Sequence, residues 1–417
     1  MIGPIRCSLL TVAILILFTN LAQAGGTGGI ALTLSVETSV QGYSNPALNT
    51  VNPQRLNQTS TAFRFGLFSE TRSQHLALKG GLSLRASGGA GAGSVADGAV
   101  DPFLAIQYFR QARDASLTFD ASVKEADLIQ MDATAFGPAL PIGTARRRQL
   151  SAELNLKWRE NAPLGFGILA ASEQVKYKGG TAIGQGGQVL SGASRQRIDL
   201  MARLDLNRVS QLTTTLGYRV FNQETVTGRR ESYGFDTTYQ IDRPSGPLAF
   251  KYGYVSTESG HRMHAMIERS ISLPDGAFVA GAGIGRTAGG DRHVIGHLNY
   301  HAALPFGGVE TRLRRALASS DQDDSEQINT QFGVGVHLDM TPLDRLLFRL
   351  DWAEAENTLS GLTTMNRAIA VSYARTLKRD ATFNIGLRRR DIRDTVTGAG
   401  RSNEVFISLT RNFETRY

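Results

Sequence analysis

Apolar side chains recur at every second position in segment after segment of this chain, and that period confines it to β-structure. Ile30, Leu32, Leu34, Val36 and Val40 alternate with Ala31, Thr33, Ser35, Glu37 and Gln41. Successive side chains of a strand point to opposite faces, so each such segment is a strand with one apolar and one polar face. The pattern returns at Leu150, Ala152, Leu154, Leu156 and Trp158, opposed by Gln149, Ser151, Glu153, Asn155 and Lys157. It returns again at Ile198, Leu200, Ala202, Leu204 and Leu206, opposed by Arg197, Asp199, Arg203 and Asp205. The 3.6-residue stripe of an amphipathic helix is hard to find anywhere, which argues against a helical bundle.

We count twenty such segments, beginning near residues 30, 61, 75, 102, 115, 147, 164, 195, 211, 231, 248, 262, 277, 293, 309, 327, 345, 366, 381 and 403. Those near 262, 277 and 309 alternate least clearly, so the expectation is 18 to 20 strands. Tight connections such as Thr71 to Gln74, Asn207 to Ser210, Pro305 to Gly308 and Thr376 to Asp380 alternate with generally longer, Gly-rich ones such as Ser44 to Ser60, Ser87 to Asp101, Glu125 to Arg146 and Lys178 to Ser194. That is the signature of hairpins with two chemically different ends. Proline tests it independently, because a central strand has no place for a residue without an N–H. Pro163, Pro244, Pro247, Pro274, Pro305 and Pro342 fall in the tight turns, Pro46, Pro53, Pro138 and Pro141 in long loops, and Pro102 at a strand start.

Residues 1–24 read differently. Arg6 supplies a positive n-region, Ser8 to Phe18 an apolar stretch, and Ala22, Gln23 and Ala24 a small-x-small cleavage site, so a signal peptide over 1–24 and a single barrel domain over 25–417 are expected. Cys7, the one cysteine, lies in that leader, so disulfides, thiolate metal sites and a cysteine nucleophile are not expected in the mature chain. With Arg6 set aside, 44 basic residues face 37 acidic ones. The excess is mild, and its arginines are scattered among carboxylates along strands without a nucleic-acid-binding motif, so no nucleic-acid partner is expected. A mean hydropathy of −0.17 is too polar for a helical membrane protein and too apolar for a disordered chain.

An exported chain of many strands with one unbroken apolar face could be a sandwich, a solenoid or a transmembrane barrel. Soluble sheets rarely exceed ~10 strands without splitting into layers. A solenoid would repeat at a fixed length, and these connections vary. Lipid is the solvent that matches a continuous apolar face, and it requires closed strands with every backbone group paired. Aromatic residues near segment ends fit interface girdles: Tyr108, Trp158, Tyr239, Tyr300, Phe348, Tyr373 and Phe383 beside short turns, and Tyr43, Tyr177, Tyr218, Tyr233, Tyr254 and Trp352 toward long loops. In the last segment Val405, Ile407, Leu409, Phe413 and Tyr417 share one parity, interrupted by Arg411 and Thr415. On these residues the chain resembles Gram-negative outer-membrane β-barrels and is similar in pattern to porin families of α-proteobacteria. The resemblance implies an all-β, transmembrane, antiparallel up-and-down barrel in the bacterial outer membrane with both termini periplasmic. It also implies lipid and lipopolysaccharide as surroundings and the outer-membrane assembly machinery as a partner, with Phe413 or Tyr417 as the terminal signal.

Chemical motifs are sparse. There is no Gly-x-Ser-x-Gly elbow and no local Ser, His and acid signature, so an enzyme is not expected. His293, His297 and His301 would stack on a helix, but on a strand each step of four spans ~13 Å, so a polar pore-facing row is the better reading than a metal site. Gly281, Gly283 and Gly285 lack a P-loop lysine and read as slim strand positions where a neighbouring side chain packs close. Asp321, Asp323, Asp324 and Glu326 read as a solvated acidic loop, lacking the glycine of an EF-hand. Neither metal nor cofactor is expected. Because barrels of 16 to 18 strands leave an aqueous channel, the function expected is a porin-like channel for passive diffusion of small hydrophilic solutes, weakly anion-preferring. The rival is a non-conducting structural, anchoring or secretion-linked barrel. By parity the pore-lining candidates are Arg64, Lys79, Arg85, Glu153, Lys157, Arg197, Asp199, Arg203, Asp205, Arg219, Lys251, Arg312, Arg314, Arg349 and Arg388, with the Glu125 to Arg146 loop as an expected constriction.

Overall fold

The computed structural model describes residues 29–49, 52–128, 142–180, 182–183, 189–224, 228–320, 325–378 and 380–416. The leader with Cys7, Pro138, Pro141, Gly186, the acidic Asp321, Asp323 and Asp324, and Tyr417 lie outside them. The strands are β1 (Gly29–Tyr43), β2 (Leu56–Glu70), β3 (Gln74–Gly88), β4 (Gly98–Gln111), β5 (Ala115–Asp127), β6 (Ile142–Gly143), β7 (Arg146–Trp158), β8 (Leu164–Lys178), β9 (Ala182–Ile183), β10 (Ala193–Asn207) and β11 (Ser210–Gln223). They continue as β12 (Arg229–Ile241), β13 (Leu248–Thr257), β14 (Gly260–Leu273), β15 (Gly276–Arg286), β16 (Arg292–Leu304), β17 (Gly307–Ser319), β18 (Glu326–Asp339), β19 (Asp344–Asn357), β20 (Thr363–Lys378), β21 (Ala381–Asp394) and β22 (Gly398–Arg416).

Apart from the two-residue pieces β6 and β9, which pair with each other, these strands form one antiparallel sheet of twenty. It closes on itself where β1 meets β22, from Ala31 opposite Arg416 to Tyr43 opposite Glu404. The fold is an all-β, closed up-and-down barrel. Closure follows from edge chemistry, since a meander this long would otherwise present two rows of unpaired N–H and C=O groups. Register follows from alternation: a slip by one residue would exchange the apolar and charged faces of a whole strand. Ile30, Leu32 and Val40 stay exposed on the outside, whereas Glu37 and Ser39 turn in. The three weakest segments are full strands, β14, β15 and β17.

Three expectations need correction. The strands are longer than the alternation suggested, from 10 residues in β13 to 19 in β22, because polar ends continue the ladder past the apolar band. Pro102 is inside β4, not at its start. It sits at a register shift where Asp101 and Pro102 face only Leu82, and Asp101 takes a φ of 51°. A bulge of this kind needs no donor from the proline and re-aims the preceding side chain. Tyr43 and Tyr177 belong to no girdle. Tyr43 is 7 % exposed and donates inward to Gln41, and Tyr177 packs on a small apolar cluster of Ala126, Leu128, Ala145, Ala182 and Leu190 under the β5–β7 and β8–β10 connections. Some of the other girdle aromatics pair with rings on neighbouring strands, as Trp158 does with Phe166 at 5.8 Å and Tyr218 with Tyr233 at 5.1 Å.

The tight turns depend on local chemistry at one position in particular. Gly307 closes the two-residue hairpin over Pro305 and Phe306 with a φ of 145°, and a Cβ there would collide with the His337 carbonyl oxygen. Only glycine combines that backbone with that approach.

Candidate lumen site

Thirteen of the fifteen candidate residues occupy the register opposite an exposed apolar neighbour, whereas the apolar neighbours of Lys79 and Arg219 are half-buried or buried. Arg64 sits beside Phe65, Glu153 beside Leu154, Arg197 and Asp199 around Ile198, Lys251 between Phe250 and Tyr252, Arg312 and Arg314 around Leu313, Arg349 beside Phe348, and Arg388 beside Leu387, all these apolar groups being at least 36 % exposed. The charged register is the concave one. A cavity of about 710 Å³ is lined together by Arg219 of β11, Lys251 of β13, Glu268 of β14, His297 of β16, Arg314 of β17 and Gln331 of β18, and strands this far apart in the sheet share a space only on the inside of its curve.

Along that wall most charges are matched. Arg64 reaches Glu37 at 2.7 Å, Arg388 reaches Glu404 at 3.6 Å, and Arg197 pairs with Asp199 on its own strand. Asp351 joins two arginines, Arg349 at 2.7 Å and Arg312 at 3.5 Å. Glu268 joins Lys251 at 2.7 Å and His297 at 2.8 Å. Lys79 meets the Gln107 amide oxygen at 3.5 Å. No carboxylate among the described residues pairs with Arg219 or Arg314, so positive charge on the 710 Å³ cavity is incompletely neutralised. Glu153 and Arg197 line a second cavity of about 590 Å³ with Asp120 and Glu173, and Lys157 lies on β7 four residues beyond Glu153. Arg312 and Arg349 reach a third of about 530 Å³ with Glu310 and His337.

Two candidates do something other than face open lumen. Arg85 has a side chain only 1 % exposed. It lies between Asp101 and Asp127, each of which it grips with one guanidinium nitrogen. The ladder between β4 and β5 stops at Phe103 opposite Lys124, and this pair of bonds, with Arg146 3.4 Å from Asp127, ties the separated strand ends together. The sequence signal for it was Asp101 next to Pro102, a bulge that aims a carboxylate at Arg85. Arg203 likewise turns to a hairpin, donating to the Glu160 and Ala162 carbonyls at 2.7 and 2.9 Å and standing 3.5 Å from Asp205.

The glycine run on β15 is a close-packing track. A Cβ at Gly281 would lie 2.7 Å from His297 and one at Gly285 2.6 Å from Leu317. The histidines of β16 are on a strand; His297 is engaged by Glu268, and His301 lines the 530 Å³ cavity.

Alternation gave no hint of the feature that narrows the lumen. Ser320, at the end of β17, accepts a hydrogen bond from Arg195 of β10 at 2.6 Å, across the inside of the barrel. Arg262 of β14 reaches Ser319 at 3.1 Å, and Glu326 accepts from the Ala288 amide at 3.0 Å. The described ends of β17 and β18, at Ser319, Ser320 and Glu326, are therefore bonded to β10, to β14 and to the β15–β16 connection. Residues 129–141, the core of the expected constriction loop, lie outside the described residues.

Solved structures similar to this one include several outer-membrane barrels. A mutant of the ferric enterobactin receptor PfeA from Pseudomonas aeruginosa matches with a TM-score of 0.51 at 10 % identity, over 94 % of this chain and 81 % of that one. The siderophore receptor PirA from Acinetobacter baumannii matches with a TM-score of 0.51 at 8 % identity over the same shares. OpdO from Pseudomonas aeruginosa matches over 93 % of this chain and 97 % of that one, at 11 % identity and a TM-score of 0.43. No family model matches the chain, and no curated protein does. The class defined is thus that of the fold alone, a closed antiparallel barrel of the outer-membrane type.

Proposed function

We propose that this protein is an integral outer-membrane channel, with both termini periplasmic, through which small hydrophilic solutes pass by passive diffusion with a weak preference for anions. The observation that carries the reading is the inner wall: charges of both signs face one another from end to end, with Arg219 and Arg314 left unmatched on the 710 Å³ cavity. Interleaved signs give a moderate field, screened by salt, that admits ions rather than trapping them. A wall of this chemistry has a use only against water. The surroundings in this reading are lipid and lipopolysaccharide, with insertion by the outer-membrane assembly machinery. The channel carries no cofactor and does no catalysis.

Recording from purified protein in planar bilayers tests it. Steady conductance is expected, with a reversal potential in a salt gradient displaced slightly to the anion side. Replacing Arg312, Arg314 and Arg349 with Gln should move the reversal potential toward cations. An unchanged potential at unchanged conductance removes these residues from the conducting path. One observation favours the rival reading of a non-conducting structural barrel: the Arg195 to Ser320 contact links the end of β17 to β10 across the inside of the barrel. Absence of any conductance in the wild type would select it.

A further inference from the structure

One of the wall's interrupted seams is filled by apolar side chains alone. Between β16 and β17 the ladder runs from Leu304 opposite Gly307 only to Gly296 opposite Arg315. Beyond that point both strands continue, each paired on its other side: β16 with β15 as far as Arg292 opposite Arg286, and β17 with β18 as far as Ser319 opposite Glu326. Arg292 to Ile295 and Ala316 to Ser319 therefore face each other without ladder hydrogen bonds. The other interrupted seam, between β4 and β5, is held by the buried Arg85 with Asp101 and Asp127; here the filler is apolar. In the wall's own register Leu317 would point outward with Leu313. Instead its Cδ1 lies 2.6 Å from where a Cβ on Gly285 would be, on the inner face and close to Ile295. Glycine at 285 is what leaves it room.

The depth of the opening matters. On β16 the outward register runs from Leu304 to Val294, ten residue steps, which is about the ~9–11 residues of a strand crossing the bilayer. Val294 is 72 % exposed and Ile284 beside it 58 %. The unzipped stretch thus starts at the outer edge of the apolar band. Inside it lies the 710 Å³ cavity, whose lining includes Ile295, Leu313 and Leu317 on the seam side and Arg219 and Arg314 on the lumen side.

We infer that the β16–β17 seam is a lateral port through which the acyl chain of an anionic amphiphile passes between the outer leaflet and the lumen, its head group held by Arg219 and Arg314. An apolar plug on a glycine moves aside without breaking backbone pairing, whereas any zipped seam would have to expose N–H and C=O groups to lipid. The unmatched arginines select a carboxylate or sulfate head over a neutral one. The port rests on the barrel being in a membrane, but not on its conducting ions.

The test is photolabelling with a diazirine derivative of lauric acid, added to the G285C/L317C variant in lipid vesicles. The chain's own cysteine, Cys7, lies in the expected leader, so oxidation joins the introduced pair and pins the plug. In the reduced variant, adducts are expected on the inward Met266 and Ile295 as well as on the outward Leu200 and Ile267. Oxidation should lower the inward adducts at least tenfold and leave the outward ones unchanged, and reduction should restore them. R219Q/R314Q in the wild-type background should lower inward labelling by lauric acid and not by a lauryl alcohol probe. Inward labelling that is absent when reduced, or equal when oxidised, overturns the port. Because outward adducts report membrane insertion and no current is measured, a failed port remains distinguishable from a failed channel.

Discussion

Arg85 shows how a single side chain can hold an interrupted wall. Its guanidinium fork bonds one oxygen of each of two carboxylates at once, and the side chains of Asp127 and of the arginine are each only 1 % exposed. Removing one member of such a cluster leaves the others charged and buried, at a cost of roughly 3 kcal/mol or more. Arg85→Leu should accordingly lower the urea midpoint of the folded barrel in lipid vesicles, and Arg85→Lys, a point charge without the fork, should recover only part of it. A midpoint equal to wild type for Arg85→Leu would mean that the network contributes nothing to closure of the β4–β5 seam. At the opposite rim Arg411 plays a different part. It bonds to Asp380 in the turn at 2.8 Å, holding that carboxyl below its usual range, and lies over the Phe413 ring at 4.8 Å. That explains why a cation interrupts the apolar register of the last strand just where the band meets water.

β22 is the element on which closure depends, since it pairs β21 on one side and β1 on the other. Deleting Arg411 to Tyr417 strips the partners from Ala31 to Val36 and removes both candidate terminal aromatics. The truncated protein should be exported yet fail to insert, read as loss of the heat-modifiable gel shift and of recovery in the outer membrane. Phe413→Ser and Tyr417→Ser, made separately, should show which ring serves the assembly signal; Phe413, opposite Leu34 on the outward register, is the one the described residues account for. A truncation that retains both the gel shift and membrane recovery sinks the closure argument.

As a whole molecule the barrel has two unlike ends. Tight turns close one end, where the described chain also begins and finishes. The other end carries the longer connections on the β1 to β10 side but only Glu258 and Ser259 between β13 and β14. Epitope tags at Gly91 or Gly186 should be reached on intact cells, and one at Asp275, in a tight turn, only after the outer membrane is permeabilised. Equal labelling of the Asp275 and Gly91 tags on intact cells would reverse the orientation.

Period-two alternation by itself determined the class and the facing of the charged residues and narrowed the strand number to 18 to 20, because in a closed barrel each side chain's face depends only on its parity; closure into twenty is seen in the sheet itself. The parity of Arg197, Arg314 and Arg349 could therefore be read without coordinates. Parity fails where the sheet stops being regular. Pro102 marks a bulge that a local pattern cannot distinguish from a strand start. Arg85 has the same parity as Lys79, yet it is buried because β4 and β5 part above it. Leu317 has outward parity and lies inside because β17 leaves β16 after Arg315. Which seams stay zipped, and which strand end reaches across the lumen to meet Arg195, are set by contacts such as that between Arg195 and Ser320, 125 positions apart. No two-residue period can encode such contacts, so only the tertiary structure decided them.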